Sequence, residues 1–274
     1  MENNNSRIKL RLCQMDIKPN DPDFNALFLV DNLTQAKADG IDLVCAPEMC
    51  LSGFDWQQNV ELSDQIQNAL LTIRNTVKSS GVGFCGSFYR KKSNNAATNT
   101  AVLWLPRGEG VEEYWYDKIH LFSLMDEPRH LRAGNELITA ESRWGTLGLA
   151  ICYDLRFPEF FHALALRGAK LILLPAAWPA KRKHHWRTLL QARAIENQCY
   201  LVAVNQAGVE GKWGATGKNQ FAGHSMVIDP FGDIIAEMDD VPGICDCEIN
   251  LSKVVESRKA IHTVHDRRPD VYRI

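Results

Sequence analysis

Hydrophobic positions near the start of the chain repeat first with the period of a strand and then with that of a helix. Residues 8–12 alternate between apolar and basic side chains, as expected for a half-buried β-strand. A helix that ends at Asp39-Gly40 is predicted next, and the short apolar run over 41–46 predicts a second strand. A strand, a helix and a strand at this spacing favour a βαβ unit with parallel strands. The candidate N-caps of the helix are Asp23 and Asn25, and its predicted apolar positions are Phe24, Leu27, Phe28 and Leu33.

The following stretch combines one amphipathic helix with two strands. Apolar side chains at steps of three and four over 62–77 predict the helix, and Gly81 is predicted to end it. Strands are predicted over 82–88 and 98–105, joined as a hairpin across the polar turn KKSNN. Residues 106–113 are rich in Pro, Gly and Glu, and this composition predicts a loop.

From Trp144 onward the alternation of strands and helices returns. In chain order the predicted elements are a strand ending at Ile151, a helix over 158–167, a strand over 171–174, a helix over 183–197, strands over 200–205, 224–228, 234–238 and 243–250, and a helix from Ser252. The turn PFGD at 230–233 predicts a hairpin between two of these strands. No linker rich in Pro, Gly or Ser divides the chain. We therefore expect one α/β domain over residues 1–274, with mixed sheets covered by helices and a flexible tail at 1–6.

Composition and charge narrow the class of protein. Of the 274 residues 45% are hydrophobic and 23% are charged, which is typical of a globular chain. The net charge is −2 and basic residues do not cluster with aromatic ones, which argues against nucleic-acid binding. No apolar run is long enough to cross a membrane, and the polar N-terminal segment lacks the apolar core of a signal peptide. We therefore expect a cytoplasmic protein.

The cysteines do not predict a metal site or a disulfide framework. Eight cysteines are dilute in a chain of this length, so buried thiols are the expectation in a reducing compartment. Cys245 and Cys247 lie two residues apart on a predicted strand, which places both on one face. No CxxC partner or closely spaced pair of histidines lies nearby, so we expect no bound metal.

Three polar residues each stand at the end of an apolar, strand-like run. Glu48 follows LVCAP, Lys118 follows YWYD, and Cys152 follows LAI. In open α/β sheets, ligands bind in the crevice at the carboxyl ends of the strands. If the three strands are neighbours, the three side chains should converge in that crevice.

The segment around Cys152 predicts a nucleophile. Residues 145–159 read as an apolar run, a sharp turn and a helix that begins at Pro158. Such a layout aims a side chain at a helix N-terminus, where the helix dipole favours the thiolate over the thiol. The alternative is a small buried hydrophobic residue, which is the commoner environment of a lone cysteine.

Glu48 and Lys118 complement this chemistry. A cysteine attacks a carbonyl carbon once its thiol has lost its proton, and Glu48 can accept that proton. Lys118 can stabilise the oxyanion of a tetrahedral intermediate. The alternatives are a helix cap or surface charge for Glu48 and a solvated strand end for Lys118.

Three segments resemble the signatures of the nitrilase superfamily of carbon–nitrogen hydrolases. They read CAPE at 45–48, YDKIHLF at 116–122 and ICYDLRFPE at 151–159, in the order and spacing of that family. The resemblance implies a four-layer α-β-β-α sandwich, assembly into homodimers or higher homo-oligomers, and catalysis without a metal or organic cofactor. It also implies a Glu48-Lys118-Cys152 triad.

The same resemblance implies two further site residues. A second glutamate of the family lies between the lysine and the cysteine, and Glu127 is the best match, with a loop acid of no function as the alternative. The backbone N–H of Tyr153 is implied as the second oxyanion donor.

The resemblance also indicates a branch of the family. True nitrilases usually carry Trp-Glu after the cysteine, whereas this chain has Tyr153-Asp154, so amide hydrolysis is favoured over nitrile hydrolysis. The segment from Trp178 to Trp186 and LLQARAIENQ resemble ω-amidases, which implies a short dicarboxylic acid monoamide such as α-ketoglutaramate as substrate. The alternatives are deaminated glutathione, an N-carbamoyl amine or a nitrile. A protein of another class, a redox or interaction protein with Cys152 as a sensor thiol, is also considered.

A substrate with a free carboxylate needs a cation or hydrogen-bond donor in the pocket. The candidates are Arg129, Arg182, His184 and His185, each with a solvated surface charge as the alternative. Trp178 is predicted to form a pocket wall or to provide a backbone donor, with an ordinary core aromatic as the alternative.

Overall fold

The computed structural model describes residues 6–92, 96–212 and 218–272 of the chain. Apart from Ser6, the predicted N-terminal tail lies outside the described residues, and so does the centre of the predicted turn KKSNN.

The first of two six-stranded sheets contains the N-terminal half of the chain and one strand from its C-terminal part. Its strands in spatial order are β14 (Gly243–Asn250), β1 (Arg7–Gln14), β2 (Leu43–Cys45), β3 (Gly83–Lys91), β4 (Ala97–Arg107) and β5 (Gly110–Asp117). The strands β1, β2 and β3 are parallel, which confirms the predicted βαβ unit, and the remaining pairs are antiparallel.

The second sheet repeats the pattern of three parallel strands flanked by antiparallel ones. Its strands in spatial order are β13 (Ile234–Glu237), β12 (Met226–Ile228), β9 (Tyr200–Asn205), β8 (Leu171–Ala176), β7 (Gly145–Leu149) and β6 (Thr139–Ser142). The hairpin of β12 and β13 confirms the turn predicted at 230–233. A separate two-stranded hairpin is formed by β10 (Val209–Lys212) and β11 (Lys218–Gln220).

Helices cover the outer face of each sheet. They are α1 (Pro22–Ala38), α2 (Trp56–Glu61), α3 (Ser63–Ser80), α4 (Glu127–His130), α5 (Pro158–Leu166), α6 (Lys183–Asn197) and α7 (Ser252–Ala260). The pair α1 and α3 packs on the first sheet, and α5 and α6 pack on the second, which confirms the four-layer α-β-β-α sandwich. None of the helices in the described ranges is both long and apolar enough to cross a bilayer.

Alternation along β1 shows how the sequence builds these layers. Ile8, Leu10 and Leu12 point between the two sheets and are fully buried there, whereas Cys13 points towards the helices on the other side. Successive side chains of a strand face opposite sides of the sheet, so one strand contributes to both cores. Each fully buried Leu or Ile contributes about 1.5–3 kcal/mol relative to an exposed side chain.

The predicted start of the first helix was wrong, and its predicted apolar face was right only for Leu33 and the half-buried Phe28. Asp21 is the N-cap, accepting the Phe24 N–H at 3.1 Å, and Pro22 occupies the first turn, where its missing N–H costs nothing. Phe24 and Leu27 are exposed, because the helix turns smaller residues such as Ala26 towards the sheet together with Leu29, Leu33 and Ala36.

The loop predicted over 106–113 was also wrong. β4 and β5 pair as far as Arg107 and Gly110, so only Gly108 and Glu109 form the turn. Gly108 adopts φ +56°, a backbone conformation that glycine adopts without steric cost, so the tight turn replaces the loop that the composition suggested.

A buried carboxyl on β10 fastens the hairpin to the segment that follows β2. Glu210 is 5% exposed, and its Oε1 accepts the Phe54 N–H at 2.8 Å. Among the described residues its Oε2 has no hydrogen-bond partner. Gly53 has φ +69°, and a Cβ there would stand 1.9 Å from this carboxyl, so the close approach requires glycine. Burial, with smaller contributions from Asp55 and Asp16, raises the pKa of Glu210 to about 8.

This raised pKa predicts a pH-dependent stability. In the unfolded chain a glutamate ionises near pH 4.5, whereas Glu210 in the folded chain keeps its proton up to about pH 8. The unfolded state therefore binds fewer protons in this window, and the stabilisation from protonated Glu210 is lost as pH rises through it, by up to about 1.4 kcal/mol per pH unit. We expect the free energy of unfolding of the wild type, measured with denaturant, to fall relative to that of Glu210→Gln as the pH rises from 5 to 8. A difference that stays constant across this range would contradict the assignment.

Candidate active site

Glu48, Lys118 and Cys152 lie close together, but the strands that precede them are not neighbours, which was the condition for their predicted convergence. Glu48 follows β2 and Lys118 follows β5, and these strands are separated in the first sheet by β3 and β4. Cys152 follows β7 in the second sheet. The Glu48 N–H donates to the Ala176 carbonyl at 3.3 Å, which joins the end of β2 to the end of β8. The site therefore lies where the carboxyl ends of strands from both sheets face each other.

Lys118 lies between two carboxylates in the interior. Its Nζ donates to Oε1 of Glu48 and to Oε1 of Glu127, both at 2.8 Å, and all three side chains are at most 1% exposed. Burial alone lowers the pKa of Lys118, but the charges of Glu127 and Glu48 outweigh it and the pKa lies above its ordinary value. Lys118 is therefore a fixed cation at the centre of the site.

Hydrogen bonds fix the Glu48 carboxylate in one orientation. Its Oε1 accepts Asn99 Nδ2 at 2.7 Å in addition to Lys118, and its Oε2 accepts the Ala177 N–H at 3.0 Å. Gln206 Nε2 also donates to the Glu48 carbonyl at 3.3 Å. A buried carboxylate with this many donors stays in place while its partners react.

Cys152 has a strained backbone and a thiol with a raised pKa. Its φ is +40°, which non-glycine residues rarely adopt and which is typical of functional turns. Cys152 is 6% exposed, and its thiol lies close enough to Glu48, Lys118 and the Ala177 N–H for each of them to influence its pKa. Burial first, and then the charge of Glu48, raise the pKa of Cys152 well above its ordinary value, although Lys118 partly offsets them.

The expectation that a helix dipole favours the thiolate was therefore wrong. Cys152 begins a 3₁₀ turn over Cys152–Arg156, and α5 starts only at Pro158. Burial and a neighbouring carboxylate outweigh the effect of so short a turn. The thiol needs a base to become a nucleophile.

Asp154 holds the turn in this conformation, a role that was not predicted from the sequence. Its buried carboxylate accepts hydrogen bonds from the Ile151 N–H at 2.8 Å and from the Tyr116 hydroxyl at 2.7 Å. His120 Nδ1 also lies 2.7 Å from this carboxylate. Tyr116 lies on β5, so these bonds also tie the turn to the first sheet. An aspartate two residues after the candidate nucleophile was the available signal.

Glu127 is held at the start of the single turn α4. Its Oε2 accepts the Phe122 N–H at 2.6 Å while its Oε1 bonds Lys118. Burial, followed by repulsion from Glu48, raises its pKa, although Lys118 partly offsets them. The structure thus places Glu127 beside Lys118, between the positions of Lys118 and Cys152 in the chain where the resemblance implied a second glutamate.

A narrow pocket opens beside the Cys152 thiol. Phe122, Trp178 and Pro179 form its apolar walls, and Tyr153 also lines it. The Trp178 N–H donates to Asn205 Oδ1 at 2.6 Å, which fixes the segment after β8. Trp178 therefore lies where the pocket-wall prediction placed it.

Two arginines form the polar side of this pocket. Arg156 and Arg182 both line it, and the Arg156 guanidinium lies 4.7 Å from the centre of the Trp178 ring. Burial first, and then the charge of Arg182, lower the pKa of Arg156. Two adjacent cations in a partly buried site provide a favourable environment for an anion.

Of the four candidates for binding a carboxylate, the structure brings only Arg182 to the pocket lining. The Arg129 side chain is 79% exposed and pairs with Asp126 away from the pocket. His184 is exposed, and His185 contacts Arg156 at 3.3 Å from the outside. Arg156 was missed, although its position four residues after Cys152, on the same turn, was a usable signal.

Comparisons with known proteins agree on one family. The carbon–nitrogen hydrolase family model matches residues 9–259. A 2-oxoglutaramate amidase of Bacillus subtilis (strain 168) is 37% identical over 232 residues, which cover 84% of this chain and 86% of that protein. A deaminated glutathione amidase of Dictyostelium discoideum is 32% identical over 262 residues, covering 88% of each chain.

A solved structure extends the similarity to the fold. It is a glutamate-to-glutamine variant of the amidase from Nesterenkonia sp. AN1, with acrylamide added to its active-site cysteine. It aligns with a TM-score of 0.84 at 27% identity and covers 97% of this chain and 98% of its own.

Proposed function

This chain belongs to the carbon–nitrogen hydrolase family, and from that premise we propose that it releases ammonia from a short dicarboxylic acid monoamide of the α-ketoglutaramate type. The observation that carries the proposal is the clustering of the buried Cys152 thiol with the buried Glu48–Lys118 ion pair, next to a pocket with two arginines. The names of relatives that are 2-oxoglutaramate amidases support the choice of substrate.

The first half of the reaction forms a thioester. Glu48 takes the thiol proton as the Cys152 sulfur bonds to the amide carbon, and Lys118 with the Tyr153 N–H stabilises the oxyanion. The proton moves from one buried group to its neighbour, so the net charge of the cluster does not change. Glu48 then gives this proton to the leaving nitrogen, the C–N bond breaks, and ammonia departs.

The second half consumes water. Glu48 accepts a proton from a water molecule, whose oxygen bonds to the thioester carbon, and the C–S bond breaks. The sulfur regains its proton from Glu48 and the carboxylic acid leaves. Glu127 contributes by holding Lys118 and the Phe122 N–H in place.

A substrate panel tests the proposal. We expect the highest kcat/KM for ammonia release from α-ketoglutaramate and succinamate, and intact-protein mass spectrometry with peptide mapping to find the acyl group on Cys152. Deaminated glutathione is the second candidate, which the Dictyostelium relative supports. Its hydrolysis releases the amine cysteinylglycine instead of ammonia, so product release is followed by chromatography, and the highest kcat/KM on this compound would replace the dicarboxylic acid monoamide as the substrate. Turnover of nitriles or N-carbamoyl amines alone would overturn the proposal.

Arg156 is expected to bind the free carboxylate of the substrate. A hydrogen bond to a charged group contributes about 1.5–3 kcal/mol, so Arg156→Met should raise KM for α-ketoglutaramate roughly 10- to 100-fold. The same variant should leave KM for butyramide, which has no carboxylate, within about twofold. Arg129→Met is the matched control, because Arg129 is a solvated arginine outside the pocket. Equal increases in KM for both amides would contradict the assignment.

We also propose a cytoplasmic location and assembly into homodimers or higher homo-oligomers. Large apolar side chains stay exposed on the outer helices of the second sheet, where a second copy could cover them. They are Leu166 on α5 and Ile195 on α6, together with Phe231 in the adjacent turn.

A further inference from the structure

The segment that carries Glu127 cannot hold its position by its own local structure. We call residues 123–131 the Glu127 segment. It contains a three-residue 3₁₀ turn, Asp126 at φ +56°, and the four-residue helix α4. Isolated helical turns of this length are unstable in water, so contacts with the rest of the molecule must hold the segment.

Trp56 contacts this segment on both sides of Glu127. Its indole Nε1 donates to the Met125 carbonyl at 3.0 Å, two residues before Glu127. Its ring stacks on His130, three residues after Glu127, with 5.5 Å between ring centres and 13° between planes. These two contacts flank the backbone from which the Glu127 carboxylate extends.

Trp56 is itself anchored to the body of the protein. It is the first residue of α2, whose N-terminus Asp55 caps by accepting the Gln58 N–H at 3.1 Å. Asn59 on the same helix donates to the Gly53 carbonyl at 2.9 Å. The Phe54 ring packs edge-on against Trp56, with centres 6.0 Å apart. A movement of the Glu127 segment would therefore have to break contacts with a fixed partner.

We propose that Trp56 is a positioning residue that fixes the Glu127 carboxylate against Lys118. The proposal rests on the proposed amidase function. Glu127 accepts hydrogen bonds from Lys118 and from the Phe122 N–H, at 2.8 Å and 2.6 Å. Lys118 stabilises charge that develops in the transition state, and displacements of about 1 Å at such groups can cost up to about 100-fold in rate. Loss of Trp56 should therefore lower kcat more than it raises KM.

Two substitutions separate the contributions of the indole. Trp56→Phe keeps an aromatic ring against His130 but removes the N–H donor, and Trp56→Leu removes both. We expect kcat on the best wild-type substrate to fall about threefold in the first and about 30-fold in the second, with KM within twofold. Trp144→Leu is the control, since Trp144 is a buried tryptophan that precedes β7, at the end opposite Cys152. It should leave kcat within twofold.

The deciding measurement is a double-mutant cycle with Glu127→Gln. If Trp56 acts through the Glu127 carboxylate, adding Trp56→Phe or Trp56→Leu to that variant should change kcat less than twofold. The proposal would be overturned if the decreases in kcat multiplied in the double variants. It would also be overturned if the Trp56 variants changed only KM, or if Trp144→Leu lost as much kcat as Trp56→Leu. Thermal melting confirms that each variant is folded, and Trp56→Phe alone decides the cycle if Trp56→Leu does not fold. The wild-type substrate panel tests the amidase function separately, so a multiplicative cycle would overturn only the function of Trp56.

Discussion

Cys152→Ala is expected to abolish ammonia release, with kcat at least roughly 10⁴-fold below that of the wild type. When catalytic residues act as a unit, removal of the nucleophile alone loses almost all of the rate acceleration that they provide together. The fold should persist, because the change removes one sulfur atom from a residue that is already largely buried. Ammonia release, thermal melting and the mass of the protein after mixing with substrate check the expectation. No acyl adduct should form.

The matched control for this variant is Cys199→Ala. Cys199 is a fully buried free thiol in the core beyond α6, so the substitution removes the same atom. We expect Cys199→Ala to keep wild-type kcat. Wild-type ammonia release by Cys152→Ala would remove the enzyme interpretation and favour the sensor-thiol alternative.

Glu48→Gln is expected to lower kcat by roughly 10²- to 10⁴-fold, the range for loss of a positioned acid–base group. The amide keeps the shape of the side chain but cannot accept the thiol proton. The charge of Glu48 raises the pKa of Cys152, so its removal should lower that pKa. The rate of iodoacetamide alkylation against pH should therefore show a lower midpoint in the variant while turnover falls.

A thiol that ionises more easily in a variant with lower turnover distinguishes a base from a residue that only supports the fold. An unfolded or loosened site would lose turnover without a defined downward shift of the thiol midpoint. Glu159→Gln is the control, because Glu159 is an exposed glutamate in the first turn of α5, close to Cys152 in sequence. It should change neither quantity. An upward shift of the midpoint in Glu48→Gln, or kcat within threefold of the wild type, would contradict the assignment.

Local sequence patterns predicted most of the fold, because hydrophobic periodicity and turn-forming residues can be recognised within a few neighbouring positions. Gly81 ends α3 as predicted, with φ +75°, and the alternation in residues 8–12 appears as β1. The loop over 106–113 failed because its Gly and Glu residues, which suggest a loop, also suit a tight turn and the exposed strand ends beside it. The short helix α2 was missed because six residues carry too little periodicity.

The sequence predicted those site residues that could be identified by their position just after a strand. It missed those that depend on the direction in which a side chain points. Glu48, Lys118 and Cys152 all stand just after strands, and the layers of the sandwich bring them together. Asp154 also bonds to Tyr116 and His120, which lie more than 30 residues away in the chain, so its position two residues after Cys152 could not indicate these partners. The choice between Arg129 and Arg156 depends on which way each side chain points from its turn.

The pairing of β14 with β1 has a consequence for biosynthesis. Along one edge, β1 pairs with residues 243–250, so the first sheet is incomplete until the ribosome has delivered β14. A nascent chain stalled before Gly243 would already contain Glu48, Lys118 and Cys152, yet would display the apolar strand β1 as an open edge. Open edges of this kind recruit other chains, so incomplete products should aggregate rather than accumulate as inactive monomers.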